Sequence, residues 1–203
     1  RLRTVTGVQT CALPICLRAE FRIWHEDDDS YYIMFDPVNK EKFRVDHYIP
    51  GSALIQSLMT RIRDEVLPNE ILRRRLYQVD FLTTLSGEAL VSLIYHKPLD
   101  GEWLQEAKAL KQRLDSDYQL NLIGRARKQK IAVEQVFVTE SLPIGERNIS
   151  YKQIENSFTQ PNGHINTTML NWSRDICQHL SGDLLELYCG NGNFSLALAD
   201  CFD

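Results

Sequence analysis

Period-two alternation of apolar and polar residues, broken by stretches with helical spacing, is the feature that most limits what this chain can fold into. RAEFRIWH (Arg18–His25) alternates like a half-buried strand, EDDDS (Glu26–Ser30) supplies a turn, and YYIMFD (Tyr31–Asp36) returns as a second strand. KFRVD (Lys42–Asp46) predicts a third. From Ser52 the period lengthens: Leu54, Leu58, Ile62 and Val66 share one helical face behind Ser52 as N-cap, and Pro68 ends the helix. Asn69–Leu76 predicts a short, very basic helix. YQVDFLTT (Tyr77–Thr84) and EALVSLIYH (Glu88–His96) then read as strands joined at Leu85–Gly87, and Trp103, Ala107, Leu110 and Leu114 mark a second amphipathic helix. NLIGRA (Asn121–Ala126) and KIAVEQVFV (Lys130–Val138) return to strand character. The order β-β-β-α-β-β-α-β-β implies an α+β domain with helices on one side of a mostly antiparallel sheet.

Pro143–Arg147 reads as a loop and as the domain boundary. Beyond it Ile165, Met169, Trp172, Ile176 and Leu180 line one face of a helix. SGDLLELYCGNGNFSLALADCFD (Ser181–Asp203) then reads as strand, glycine loop and helix, the opening of an α/β unit. Leu184, Leu185, Leu187, Phe194, Leu196 and Leu198 call for apolar partners, each worth about 1.5–3 kcal/mol when buried. That segment is therefore expected to be a truncated part of a domain. The expected division is 1–16 as a non-native or disordered segment, 17–147 as the α+β domain, and 148–203 as the start of a second. RLRTVTGVQTCALPIC (Arg1–Cys16) has neither helical period nor signal-peptide order, and TGVQTCALPI resembles translated sequencing-adapter read-through.

Composition excludes several classes. With 27 acidic and 23 basic residues the formal charge is −4, which rules out a bulk polybasic nucleic-acid binder but not local basic patches. No apolar run approaches the ~20 residues of a membrane helix. The five cysteines (Cys11, Cys16, Cys177, Cys189, Cys201) are scattered without a CxxC pair, so neither a disulfide scaffold nor a metal site is indicated, and a cytoplasmic setting is expected.

The strongest chemical signal is ELYCGNGNFS (Glu186–Ser195), an E-x-x-x-G-x-G turn between an apolar run and a helix. Gly190 and Gly192 remove side chains where backbone must turn tightly and approach a ligand. Ser195 stands where a dinucleotide site would have its third glycine, which argues against NAD. E-x-x-x-G-x-G is also the first-motif pattern of Rossmann-like S-adenosylmethionine methyltransferases.

Taken with QIENSFTQPN (Gln153–Asn162), LLELYCGNGNFSLALA (Leu184–Ala199) closely resembles the tRNA (uracil-5-)-methyltransferase family. RAEFRIWH, YQVDFLTTLS and VSLIYHKPLD extend the resemblance over residues 17–203. It implies an α+β RNA-binding domain followed by the start of a Rossmann-like S-adenosylmethionine-dependent methyltransferase domain. The implied reaction moves a methyl group from S-adenosyl-L-methionine to C5 of a uridine in the T loop of tRNA, giving 5-methyluridine. A cysteine thiolate adds to C6 of the flipped-out base, and a general base then removes the C5 proton.

By that resemblance Gln160, Tyr188 and Asn193 contact the methyl donor, Gly190 gives close backbone approach, and Phe158 faces the target base. Arg22, Tyr77 and His96 fall where the family contacts T-loop RNA; from the residues alone, Tyr77 reads equally as a core aromatic and His96 as an exposed strand end. No catalytic residue is assigned. The family's nucleophile, base and DPPR-type motif lie downstream of the glycine loop, so the chain alone is expected to be inert. Cys189 matches a small donor-site residue rather than the nucleophile.

Two basic clusters support RNA binding independently: Arg73–Arg75, and Arg125 and Lys128 with Arg127 and Lys130. Leu17–Ser150 holds 19 basic and 21 acidic residues, so affinity would rest on local patches and be salt-sensitive. The same clusters read alternatively as solvated charged faces. Two rival functions are a ribosomal-RNA uracil-5-methyltransferase and a non-catalytic RNA-binding or tRNA-folding module.

Overall fold

The structure is a computed structural model that describes residues 14–27 and 29–203. β1 (Arg18–Glu26) and β2 (Asp29–Phe35) form an antiparallel hairpin with Trp24 opposite Tyr31 and Arg22 opposite Ile33, and β3 (Lys42–Arg44) adds to its outer edge. α1 (Ala53–Val66) starts where Ser52 Oγ accepts a hydrogen bond from the Ile55 amide at 3.2 Å. α2 (Glu70–Arg73) is a single turn capped by Asn69. It is shorter than the basic helix expected over Asn69–Leu76, because the chain turns at Arg75 (φ 61°) and enters β4 (Leu76–Thr83).

β4 pairs with β5 (Glu88–Tyr95), and α3 (Gly101–Leu114) carries the chain to β6 (Gln119–Ala126), which runs parallel to β5. β7 (Gln129–Ala132) completes a seven-stranded sheet of order β3-β2-β1-β4-β5-β6-β7, antiparallel apart from the β5–β6 pair. α1 and α3 lie on one face. There Ile55, Leu58, Ile62 and Val66, with Trp103, Ala107, Leu110 and Leu114, join Phe21, Val79, Phe81, Val91 and Leu93 in the main core. Gly124 is where α3 presses hardest: a Cβ on it would meet the Trp103 ring at 2.2 Å.

The rest departs from the sequence reading in three places. KIAVEQVFV is not one strand, since β7 ends at Ala132 and β8 (Phe137–Ile144) belongs to a separate two-stranded sheet with β9 (Arg147–Ile154). Pro143–Arg147 is not an open loop but the end of that hairpin. Ile144 pairs with Arg147 and Gly145 takes φ 58°, so the expected boundary falls at a hairpin tip. Val138 of β8 packs on Leu82, Leu90 and Ile123, covering part of the sheet face opposite the helices.

In the third departure, Leu184–Cys189 forms no strand. A parallel strand needs a partner strand to pair with and cover for both faces, and Leu184, Leu185 and Leu187 stand exposed instead. α4 (Gly163–Cys177) buries Gly163, Asn166 and Leu170, while Ile165, Trp172 and Ile176 of its apolar stripe, and Leu180 beyond it, are exposed. α5 (Asn193–Leu198) is the last helix among the described residues.

At the start of the chain, residues 1–13, including Cys11, lie outside the described residues. Cys16 is built into the fold. Its amide donates to Pro50 O at 2.8 Å, and it bridges to Gly51 and Asn162. Among the described residues no helix is long and apolar enough to cross a membrane, and no group of three His, Cys, Asp or Glu side chains could hold a metal ion.

Candidate functional site

The first wall of the site is the chain that leaves β9. Asn156 adopts φ 65°, the turn closes with Ser157 N donating to Ile154 O at 3.0 Å, and Phe158–Asn162 then run to α4. Two residues at the start of β1 pin this loop. The Arg18 guanidinium donates to Ser157 O, and the Leu17 amide to Pro161 O, both at 2.8 Å. Asn162 caps α4 through Ile165 N at 3.0 Å. Gly163 is needed for close approach, since a Cβ there would meet Leu17 and Leu85 at 2.8–2.9 Å. Gln160 is thus held on a loop tied to the large sheet.

The second wall is the glycine loop. Tyr188, Gly190 and Gly192 take φ values of 58°, 57° and 78°, and Gly192 N donates to Cys189 O at 2.8 Å. For Gly190 and Gly192 this conformation is cheap; for Tyr188 it costs on the order of 1–3 kcal/mol. Glu186, the first residue of the motif, fills the role that Gly192 as N-cap cannot. Its carboxylate accepts from the Ser195 amide at 2.8 Å and the Ser195 hydroxyl, with a longer contact to Phe194 N at 3.4 Å.

Asn193 is clamped by Asn166 of α4 through two amide hydrogen bonds of 3.0 and 2.8 Å, and its carbonyl accepts from the Tyr151 hydroxyl at 3.0 Å. Burial, with the Glu186 charge adding to it, pushes the Tyr151 phenol up to about 12, so it stays protonated as a donor.

The two walls face each other across one cleft. Phe158, Gln160, Tyr188, Gly190 and Asn193, five residues singled out in the sequence, all line it, with Asn166 and Glu186 deeper in. Phe158 and Tyr188 are exposed large aromatics at its mouth, 71% and fully exposed. Cys189 lines the same cleft and is exposed. Cys177 and Cys201 are half-buried.

A second constellation lies on the sheet face opposite the helices. The Arg22 guanidinium sits 4.1 Å from the Tyr77 ring centroid, and His96 stacks on the same ring at 4.0 Å and 25°. Two groups that close cannot share one face of a ring, so Tyr77 is sandwiched between them. The register explains the stack. Arg22 pairs with Gln78, and the irregularity between Leu76 and Gln78 leaves Tyr77 unpaired and free to turn onto this face. A pocket beside the stack is lined by Tyr77, His96, Arg125 and Arg127 together with Gln78 and Asp80.

The basic clusters are only partly available. Arg125 and Lys130 both pair with the buried carboxylate of Glu155, at 3.1 and 2.9 Å. Arg73 is engaged by Ser30 Oγ and Asp27 O at 2.8 and 3.1 Å. Lys128 stands exposed at the β6–β7 turn with φ 61°, and no ion pair involves it among the described residues.

Sequence reasoning missed Arg18, Leu17, Asn166 and Tyr151 as supports of the site. Asn166 carried a signal: it is a polar residue three positions after the buried Gly163, on the face of α4 that packs inward.

A sequence model of the family described as tRNA (Uracil-5-)-methyltransferase matches residues 14–203. The tRNA/tmRNA (uracil-C(5))-methyltransferase of Shewanella sp. (strain MR-4) is 59% identical over 187 residues, 92% of this chain and 51% of that protein. The protein of the same name from Aliivibrio fischeri (strain MJ11) is 57% identical over 188 residues, again covering 92% of this chain and 51% of that protein. This chain thus spans about half the length of the curated relatives it matches. Pyrococcus abyssi tRNA (uracil-54, C5)-methyltransferase, solved in complex with S-adenosyl-L-homocysteine, shares the fold. Its TM-score is 0.62 at 13% identity, over 93% of this chain and 47% of that one.

Proposed function

The chain belongs to the tRNA (uracil-5-)-methyltransferase family, and on that premise we propose that it serves S-adenosylmethionine-dependent methylation of C5 of a uridine in the T loop of tRNA. In this reading the seven-stranded sheet with α1 and α3 forms the RNA-binding domain and the chain beyond Ile154 opens the methyltransferase domain, the β8–β9 hairpin, at whose tip the expected 147/148 division falls, joining them. The observation that carries it is the convergence of Gln160, Tyr188, Gly190, Asn193 and Phe158 on one cleft from two separate stretches of chain.

The cleft suits the methyl donor chemically. An amino-acid tail and ribose need short, rigid hydrogen-bonding groups, which the Gln160 amide and the glycine-loop backbone offer, and a purine needs a flat apolar wall. When bound, S-adenosylmethionine supplies an electrophilic methyl on a sulfonium centre. Gln160 and Tyr188 orient the donor, the Asn166–Asn193 pair fixes the loop that holds it, and Phe158 at the mouth packs on the target base. Arg22, Tyr77 and His96 hold the T loop, the rigid sandwich offering stacking surface and one fixed charge. Arg125 and Lys128 add phosphate contacts.

The reading is tested by fluorescence anisotropy with an unmodified T-arm hairpin RNA. The expected result is salt-sensitive binding that Tyr77→Ala weakens about tenfold, because the ring holds in place Arg22 and His96, whose outer faces offer the stacking surface. Equal affinity for a scrambled hairpin, or none lost on Tyr77→Ala, would overturn it.

A further inference from the structure

Asp80 breaks three local rules at once. Aspartate is disfavoured in a strand interior, yet Asp80 lies within β4. Its direct cross-strand neighbour on β1 is Glu20, a like charge. It is also half-buried, and among the described residues no cation lies within ion-pair distance of it. The neighbouring carboxylates are matched: Glu20 pairs with Arg18 at 3.2 Å, and Glu155 with Arg125 and Lys130. Burial raises the Asp80 carboxyl to about 6, with the Glu20 and Glu155 charges adding to it and the Gln78 hydrogen bond and the Arg18 charge acting against it. Residues that violate several local preferences together are expected at functional sites.

The only hydrogen bond to the Asp80 side chain among the described residues comes from the Gln78 amide, at 2.7 Å to Oδ1. Asp80 Oδ2 and Gln78 Oε1 remain as acceptors, and the second Gln78 amide hydrogen as a donor. These groups line the same pocket as Tyr77, His96 and Arg125. A stacking wall, a charged rim and a fixed polar edge are the parts needed to read one nucleobase.

We propose that Gln78 and Asp80 form a base-reading pair, selecting in this pocket an RNA base that carries an exocyclic amino group. A carboxylate accepts from cytosine N4, adenine N6 or, twice over, the N1–N2 edge of guanine, whereas uracil offers it a single N3–H between two carbonyls that repel it. The pair is thus a specificity determinant separate from the target uridine. The inference rests on the sheet face being the RNA surface.

The test uses the full chain and T-arm hairpins in which each amino-bearing loop base is replaced singly: guanosine by inosine, adenosine by purine riboside, cytidine by uridine. The wild type is expected to lose about fivefold or more in affinity for one replacement, the size of a good base-edge contact. Asp80→Asn keeps the shape but replaces the acceptor with a donor, and should narrow that loss to under about twofold. Asp80→Ser is a second variant with the same expectation, and Tyr77→Ala should weaken every hairpin alike. If no replacement matters to the wild type, or Asp80→Asn and Asp80→Ser discriminate as before while Tyr77→Ala still weakens binding, the inference is wrong and the RNA-face reading stands. If the wild type does not bind the hairpin, or Tyr77→Ala has no effect, both fall.

Discussion

Asn166 and Asn193 exchange two amide hydrogen bonds, 3.0 and 2.8 Å long, between the buried face of α4 and the start of α5. The FTQPN loop leads directly into α4 and the glycine loop directly into α5, so this pair sets the spacing of the two cleft walls. Asn166→Ala removes both hydrogen bonds of the Asn193 side-chain amide, at a cost of about 1–3 kcal/mol. Urea unfolding should show that loss, and binding of S-adenosylmethionine should weaken with it. Unchanged stability would mean that the two walls are spaced by something else.

Gly124 and Trp103 define the tightest contact between the large sheet and its helices. In Gly124→Ala the new methyl would meet the Trp103 ring at 2.2–2.4 Å and Leu99 at 2.8 Å. The ring is fully buried and part of the core, so α3 must shift. A loss of about 1–3 kcal/mol or more is expected, read by thermal unfolding with a change in the near-ultraviolet tryptophan signal.

Asp80 makes stability depend on pH in a defined direction. Its folded value, about 6, lies above the ordinary 3.8, so between these values the folded state binds more protons than the unfolded chain. The resulting stabilisation is fully present below pH 4 and is lost as pH rises through about 6. Asp80→Asn should therefore be more stable than wild type at pH 8 and level with it near pH 4. Urea midpoints at the two pH values check this, and a pH-independent difference would contradict it.

Lys128 and Arg125 should behave differently despite their proximity. Lys128 is exposed and without an ion pair among the described residues, so Lys128→Ala should reduce the salt dependence of RNA binding by about one counterion, with stability unchanged. Arg125 also neutralises the buried Glu155 carboxylate, so Arg125→Ala should lower stability as well as RNA affinity. Binding curves at several salt concentrations, with parallel unfolding curves, separate the two roles.

Much of the large sheet was legible in the sequence because β1 and the first part of β4 bury one face. Phe21 and Ile23 against Arg22 and Trp24, or Val79 and Phe81 against Gln78 and Asp80, carry the period on their own. Trp103, Ala107, Leu110 and Leu114 did the same for α3, and all four are fully buried. The failures share a cause. Glu134 and Gln135 looked like strand residues because their neighbours were, but the chain there passes from one sheet to another, a decision made by tertiary contacts such as Val138 on Leu90. Leu184–Leu187 had the composition of a buried strand, and composition cannot supply the neighbouring strands.

At the candidate site, Gln160, Tyr188 and Asn193, like Arg22, Tyr77 and His96, are expected from the family resemblance, and Gly190 from the glycine motif as well; the structure brings the loop residues to one cleft and the other three into one stack. What escaped was whatever acts across distance: Arg18 on Ser157, Asn166 on Asn193, and the lack of an ion pair at Asp80 beside paired carboxylates.

In the proposed function Gln160 and the glycine loop together hold the methyl donor. Equilibrium dialysis of radiolabelled S-adenosylmethionine against the intact chain tests it directly, with Gln160→Ala and Gly190→Val alongside. Saturable retention by the wild type, reduced about tenfold or more in both variants while T-arm RNA binding persists, is the predicted result. Failure of the folded wild-type chain to retain the label, or equal retention by Gln160→Ala and Gly190→Val, would contradict it.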